Sequence, residues 1–273
     1  MTDPQSTTID HEAEAVGELI AEAVSFRFAH FALAPISLAA RAGELTAIIG
    51  PNGSGKSTLL EILSGFLKPL TGSVHLDGQN LHSLSPRERA RRVGLARQDT
   101  ILLFPFAVRE FVRQGRHPHL CHSLFECAED ERWVDWAMEK TCLQGFAHRR
   151  IMEMSSGEFQ RAVLARTLAQ RPRLVLLDEP TANLDIGYQV DIFRLLRQLA
   201  KSEGFIGIVV THELSLAAEM ADHVVLLEGG NCLRQGKAEA VFQADLLSRA
   251  FRTPVLVDKN PSSGRPRVTW VAP

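Results

Sequence analysis

Apolar and polar positions along the chain change period several times, and the changes outline its elements. Val24, Phe26 and Phe28 alternate with Ser25 and Arg27, and Ile36, Leu38 and Ala40 alternate in the same way. Period-two alternation predicts strands half buried against a core. Leu45–Ile49 is a continuous apolar run that stops at Gly50, which predicts a strand covered on both faces in a parallel sheet. Thr58–Leu67 reads as a helix. Val74 and Leu76 flank His75 and lead into Asp77-Gly78, a turn pair that predicts a short hairpin. Ser85-Pro86-Arg87-Glu88 is a helix start, with Ser85 as cap, Pro86 in the first helical position and Glu88 closing a capping box. Val93–Ala96 is another short strand.

Residues from about 99 to 160 are richer in aromatics and histidines. Trp133, Trp136, Ala137 and Lys140 share one side of a helix predicted over Glu129–Leu143, and the region reads as a mostly helical subdomain. Leu174–Leu177, Ile206–Val210 and Val224–Leu227 return to the buried-strand pattern. Between them, Ile192, Leu195, Leu196 and Leu199 carry the three-and-four spacing of a helix. Strands alternating with helices imply an α/β fold with a mostly parallel sheet. The predicted folded unit is 19–258. Residues 1–18 are expected to be a disordered N-terminal tail, and 259–273, with Pro261, Ser262, Ser263, Gly264 and Pro266, a loose C-terminal tail.

Composition narrows the classes. The 273 residues are 45% apolar and 23% charged, an ordinary balance for a folded chain. Thirty Lys+Arg against 32 Asp+Glu leave a net charge of −2, which excludes a globally basic nucleic-acid binder. Arg87, Arg89, Arg91 and Arg92 read as a solvated helix face, and no nucleic-acid partner is expected. Cys121, Cys127, Cys142 and Cys232 form no C-x-x-C pair, so neither a disulfide framework nor a zinc cluster is indicated, and the cytosol is the natural compartment. No run approaches the roughly 18 apolar residues of a spanning helix. Residues 1–18 carry five acids and no Lys or Arg, unlike a secretory leader. Attachment to a membrane is therefore expected only through a partner.

Two motifs carry chemistry. Gly50-Pro51-Asn52-Gly53-Ser54-Gly55-Lys56-Ser57 fits G-x-x-x-x-G-K-[ST] and lies between a buried strand and a helix, where that motif must lie. Its glycines let the backbone point several N–H groups at one anion, and the following helix adds its positive end. Lys56 would reach the β- and γ-phosphates, and Ser57, with Thr58 beside it, would place a hydroxyl on Mg²⁺. Downstream, the apolar run Leu174–Leu177 ends in Asp178-Glu179. Asp178 is suited to Mg²⁺, and Glu179 to polarising the water that attacks the γ-phosphate. His212 ends another buried strand and is placed for a γ-phosphate contact. Gln98 follows Val93–Ala96 and by itself is only a polar loop residue.

Taken together, these residues resemble the nucleotide-binding subunit of an ATP-binding-cassette transporter, over about residues 20–257. The resemblance implies a P-loop NTPase core with a mostly parallel sheet, an N-terminal antiparallel β part and an inserted helical subdomain. The phosphate loop corresponds to Walker A and Leu174–Glu179 to Walker B. Gln98 matches the Q-loop glutamine, which links metal to permease. Met154-Ser155-Ser156-Gly157-Glu158 stands where the family writes L-S-G-G-Q/E, ahead of a helix, so that Ser155 and the N–H groups around it form a second anion-binding helix end. Asn183-Leu184-Asp185 resembles the D-loop and His212 the switch histidine, and Phe28 falls where an aromatic stacks on adenine. In such proteins two copies pack head to tail, each ATP lying between the Walker A of one chain and the signature of the other. Two departures stand out. Ser156 replaces the first signature glycine, which would crowd the approach to the γ-phosphate, and Phe28 replaces a more frequent tyrosine.

Phe104–Glu110, Gly115–His119, Asn183–Gln189 and the stretches Leu246–Phe251 and Pro254–Val257 look like the ATPases of bacterial importers for iron–siderophores, haem and cobalamin. That likeness implies an ATPase using ATP and Mg²⁺, a homodimer under transmembrane permease subunits, and a periplasmic binding protein acting indirectly. It also implies a cytoplasmic chain held on the inner face of the membrane. A cassette-type ATPase of iron–sulphur cluster assembly, with soluble partners, is the rival reading. The Gly115–His119 segment argues against it.

Overall fold

The structure is a computed structural model and describes residues 17–97, 104–119 and 128–271. In chain order the elements are β1 (Glu18–Phe28), β2 (Phe31–Arg41), β3 (Leu45–Ile49), α1 (Lys56–Leu63), β4 (Thr71–Leu76), β5 (Gln79–Asn80), α2 (Pro86–Arg92) and β6 (Val93–Ala96). Then come α3 (Val108–Arg113), α4 (Ala128–Lys140), α5 (Ser156–Ala169), β7 (Leu174–Asp178), α6 (Ile186–Glu203), β8 (Ile206–Val210) and α7 (Leu214–Met220). The chain closes with β9 (His223–Glu228), β10 (Asn231–Gly236), α8 (Ala238–Val241), α9 (Ala244–Phe251), β11 (Val255–Lys259) and β12 (Pro266–Trp270).

The strands form an antiparallel sheet of order β2-β1-β4-β5 and a six-stranded sheet of order β10-β9-β3-β8-β7-β6. In the larger sheet β9, β3, β8, β7 and β6 pair in parallel, and β10 joins antiparallel. Its central strands are almost entirely apolar, Thr46 in β3 and Asp178 at the end of β7 aside, because both faces are covered. Leu45, Ala47, Ile49, Val175, Leu177, Val209, Val224 and Leu226 face the core beneath the helices, whereas Ile48, Leu174, Leu176, Ile208, Val210 and Val225 face the core shared with α1 and the antiparallel sheet. The parallel order aligns the carboxyl ends of β3, β8 and β7, so Gly50, Thr211-His212 and Asp178-Glu179 share one edge. That edge is where ligands of open α/β sheets bind.

Several boundaries differ from the sequence reading, each for a local reason. The pairing of β1 with β2 shifts register between Ala21 and Val24, where Ala23 has φ 45°. This bulge breaks the alternation, so only the second half of β1 was legible. The expected loose tail from 259 is corrected as far as the structure describes it. Lys259 ends β11, and 266–270 pair with it as β12, with Val257↔Val268 in register. The Pro, Ser and Gly residues mark the turn of this hairpin, which Arg265 pins by donating to the Ala218 and Ala221 carbonyls at 3.2 and 2.9 Å. Within the expected helical region, the described residues fold as α3, α4 and the start of α5 with short 3-10 turns. Residues 1–16, Gln98, Cys121 and Cys127 lie outside the described residues. Among the described residues no helix is long and apolar enough to cross a membrane.

Candidate active site

The site begins where β3 runs out. Gly50 has φ 150°, and a Cβ there would lie 2.2 Å from the Leu227 carbonyl oxygen and 2.8 Å from Ser54 Oγ, so the loop can leave the sheet only through glycine. The loop then curls back to α1. Gly55 caps α1 at φ 98° with no capping side chain, which leaves the first N–H groups of the helix directed outward. Lys56 is buried, and its ammonium donates to the Gly50 and Pro51 carbonyls at 2.9 Å each. Burial pushes this ammonium below the usual lysine range, against the opposing pull of Glu179 and Asp178. Ser54 Oγ is buried with no hydrogen-bond partner among the described residues.

The carboxylate pair ends β7. Asp178 Oδ1 accepts a long hydrogen bond from the Ser57 hydroxyl, at 3.4 Å. Burial pushes the Asp178 carboxyl above the usual range, the Glu179 charge adds to that rise, and Ser57 opposes it. Glu179 sits at φ 50°, a left-handed conformation that costs a non-glycine residue about 1–3 kcal/mol. The surroundings over-determine it: its N–H donates to the Val210 carbonyl at 3.0 Å, and its Oε1 lies 2.6 Å from His212 Nε2. The β7–β8 pairing thus delivers a carboxylate and an imidazole to one point, facing the phosphate loop.

A cleft of about 600 Å³ lies between the β1–β2 turn and the phosphate loop, walled by Phe28, His30 and Phe31 on one side and Asn52, Lys56 and Glu179 on the other. Phe28 is half exposed and stands edge-on to Phe26, with centroids 4.7 Å apart, so its ring is braced at the mouth. Gly53, Gly55, Ser57 and Thr58 also line the cleft. His30 and Phe31 were missed by sequence reasoning. Phe31 closes the β1–β2 turn opposite Phe28, and that register was the one signal that could have found it.

The signature and D-loop residues do not line this cleft. Ser155 caps α5: its hydroxyl accepts from the Glu158 N–H at 3.3 Å, and Glu158 Oε2 accepts the Ser155 N–H at 2.8 Å and the Ser155 hydroxyl at 2.9 Å. These bonds, the backbone one foremost, hold the Glu158 carboxyl below the usual carboxylate range. Ser156 is exposed and Gly157 buried. Asp185 is the exposed N-cap of α6, and its side chain makes no capping bond. Gln98 is outside the described residues.

The comparisons agree with this geometry. Residues 33–182 match the family model described as ABC transporter. The chain is 36% identical to the ferric enterobactin transport ATP-binding protein FepC of Escherichia coli K12, across 93% of this chain and 94% of that one. It is 42% identical to the hemin import ATP-binding protein HmuV of Streptomyces coelicolor, across 92% and 89%. With the cobalamin import ATP-binding protein BtuD of Halobacterium salinarum it shares 39% identity across 84% of this chain, and it spans 57% of that relative's length. A structure of a metal-chelate type ABC transporter in an inward-facing conformation superposes with a TM-score of 0.82 at 25% identity, covering 94% of this chain and 98% of that one. A dimeric ATP-binding cassette bound to ADP and Pi superposes with a TM-score of 0.68 at 27% identity, covering 80% and 98%. Nearly the whole chain is thus matched by transport ATP-binding proteins, and its phosphate loop and carboxylate pair occupy the ends of β3 and β7, on either side of β8 in one sheet. The chain belongs to the ABC transporter family.

Proposed function

We propose that the chain is the ATP-hydrolysing subunit of an importer for an iron–siderophore, haem or cobalamin. It works as a head-to-tail dimer on the inner face of the membrane, beneath transmembrane permease subunits fed by a periplasmic binding protein. The observation that carries this reading is an asymmetry. Lys56, Ser57, Asp178, Glu179 and His212 converge at one sheet edge, while the second helix end, at Ser155–Glu158, stands outside that cleft.

Phe28 stacks on adenine. The amides from Asn52 to Thr58 surround the phosphates, and the Lys56 ammonium exchanges its two carbonyl partners for phosphate oxygens. Ser57 and Asp178 offer the hydroxyl and carboxylate oxygens that Mg²⁺ takes alongside phosphates and water, and a cation there offsets the charge whose burial raises Asp178. When bound, that ion neutralises charge on the phosphates. Glu179 orients the attacking water and accepts its proton, and His212, 2.6 Å from its Oε1, holds the Glu179 carboxylate in place. Ser155, Ser156, Gly157 and Glu158 of a second copy, with its Asp185, complete the enclosure. Gln98 links the metal site to the permease.

The test is uptake. In a host lacking this chain, the parent sequence restores import of one of the three cargo classes. Glu179→Gln restores none and lowers ATP turnover by about 10²–10⁴-fold. A parent chain that restores no uptake and copurifies with no membrane protein contradicts the reading.

A further inference from the structure

Tyr188 lies in the Asn183–Gln189 stretch but has no assigned role, yet it joins the turns at Ser155–Glu158 and Asp185. Gly157, the second residue of α5, is buried. A Cβ built on it would lie 2.5 Å from Tyr188 Cδ1 and 2.9 Å from both Cγ and Cε1. The phenol ring therefore rests directly on the backbone of the turn that Ser155 and Glu158 cap, closer than any side chain at 157 would allow. Tyr188 lies three residues beyond Asp185, in the first turn of α6. One turn further along both helices, Arg161 meets Asp191 at 3.5 Å. The two contacts advance together from 157 to 161 and from 188 to 191, so α5 and α6 run side by side with their N-termini at the same end.

The same first turn of α6 reaches the catalytic edge. The Gln189 amide donates to the Thr181 carbonyl and to Glu213 Oε1, at 3.4 Å each. The Glu213 N–H donates to Thr211 Oγ1 at 3.0 Å, beside His212. Tyr188 is not core filling, since the residue is 42% exposed. Its hydroxyl makes no hydrogen bond among the described residues, which leaves the flat face as the working part.

We propose that Tyr188 is a positioning residue that locks the Ser155–Glu158 turn to the Asp185 turn, so that one chain offers both to a second copy as a rigid pair. This rests on the reading that two copies enclose ATP. Tyr188 touches no substrate and acts through Gly157. Without the ring the Ser155 turn loses its floor, and a displacement of about 1 Å at such a turn can cost on the order of 10²-fold in rate.

The experiment measures, on the full chain, affinity for a fluorescent ATP analogue, KM and kcat for Tyr188→Ala, Tyr188→Phe, Gly157→Ala and the double variant Gly157→Ala/Tyr188→Ala. Tyr188→Ala is expected to keep analogue affinity within about twofold and to lower kcat about tenfold or more, with Tyr188→Phe at the parental kcat. Gly157→Ala drives a methyl into the ring and lowers kcat, and removing the ring in the double variant is expected to cost nothing further. Three results overturn the proposal: a parental kcat in Tyr188→Ala, a Tyr188→Phe as slow as Tyr188→Ala, or analogue affinity falling in step with kcat. A parent that turns over no ATP defeats the underlying ATPase reading instead. An active parent with an equally active Tyr188→Ala defeats this inference alone.

Discussion

The N-terminal ends of α1 and α5 are both suited to anions, and they are finished in opposite ways. Gly55 begins α1 in a left-handed conformation without a capping side chain, and the first turn opens into the cleft. At α5, Ser155 and Glu158 cap the helix reciprocally on the surface. An uncapped helix end leaves orphan N–H groups that a ligand must satisfy, whereas a capped one has some of them satisfied by its own side chains. On the proposed reading, one end is a phosphate cradle within a single chain, and the other is a preformed surface for a phosphate held by a second copy.

Substitutions at the two ends should separate them. The largest effect is expected at α1. Lys56→Ala removes charge-assisted hydrogen bonds worth about 1.5–3 kcal/mol each, so nucleotide affinity of the single chain should fall by about ten- to a hundredfold or more, as titration of a fluorescent analogue reads it. At α5, Ser155→Ala should leave that affinity near parental, lower turnover, and cost about 1 kcal/mol of stability through the lost cap, visible in chemical denaturation. Equal loss of single-chain affinity in both variants would break the comparison.

Smaller effects sharpen it. Stacking on an aromatic is worth about 1–3 kcal/mol, so Phe28→Ala should weaken binding of adenine nucleotides by about tenfold, and Phe28→Tyr should restore it. The smallest expected effect is a pH dependence. Burial raises the Asp178 carboxyl in the folded chain above its unfolded value. The folded state then binds more protons across that window, so Asp178 destabilises the nucleotide-free chain above its folded pKa, and the penalty fades as pH falls below the unfolded one. Asp178→Asn should therefore raise Tm at neutral pH, and the gain should vanish under acidic conditions.

What was legible in the sequence was local. The phosphate loop, the acid pair after Leu174–Leu177 and the capping box at Ser85–Glu88 are written in consecutive residues, and the structure builds each as read. Long-range features were not legible. Nothing near Glu179 announces its left-handed backbone or its partner His212, 33 residues on, which only the β7–β8 pairing brings close. Likewise, Gly157 meets Tyr188 only because α5 and α6 lie side by side. The 255–270 hairpin was hidden because its turn is made of residues that also make tails, and what orders it is Arg265 reaching back to α7.

The central claim is that one chain holds ATP and a second must close over it. Light scattering of Glu179→Gln saturated with ATP and Mg²⁺ tests this most directly, read beside Glu179→Gln/Ser155→Arg at equal nucleotide occupancy. The account predicts a dimer for the first and a nucleotide-bound monomer for the second. Identical masses for the two, at any oligomeric state, would contradict it.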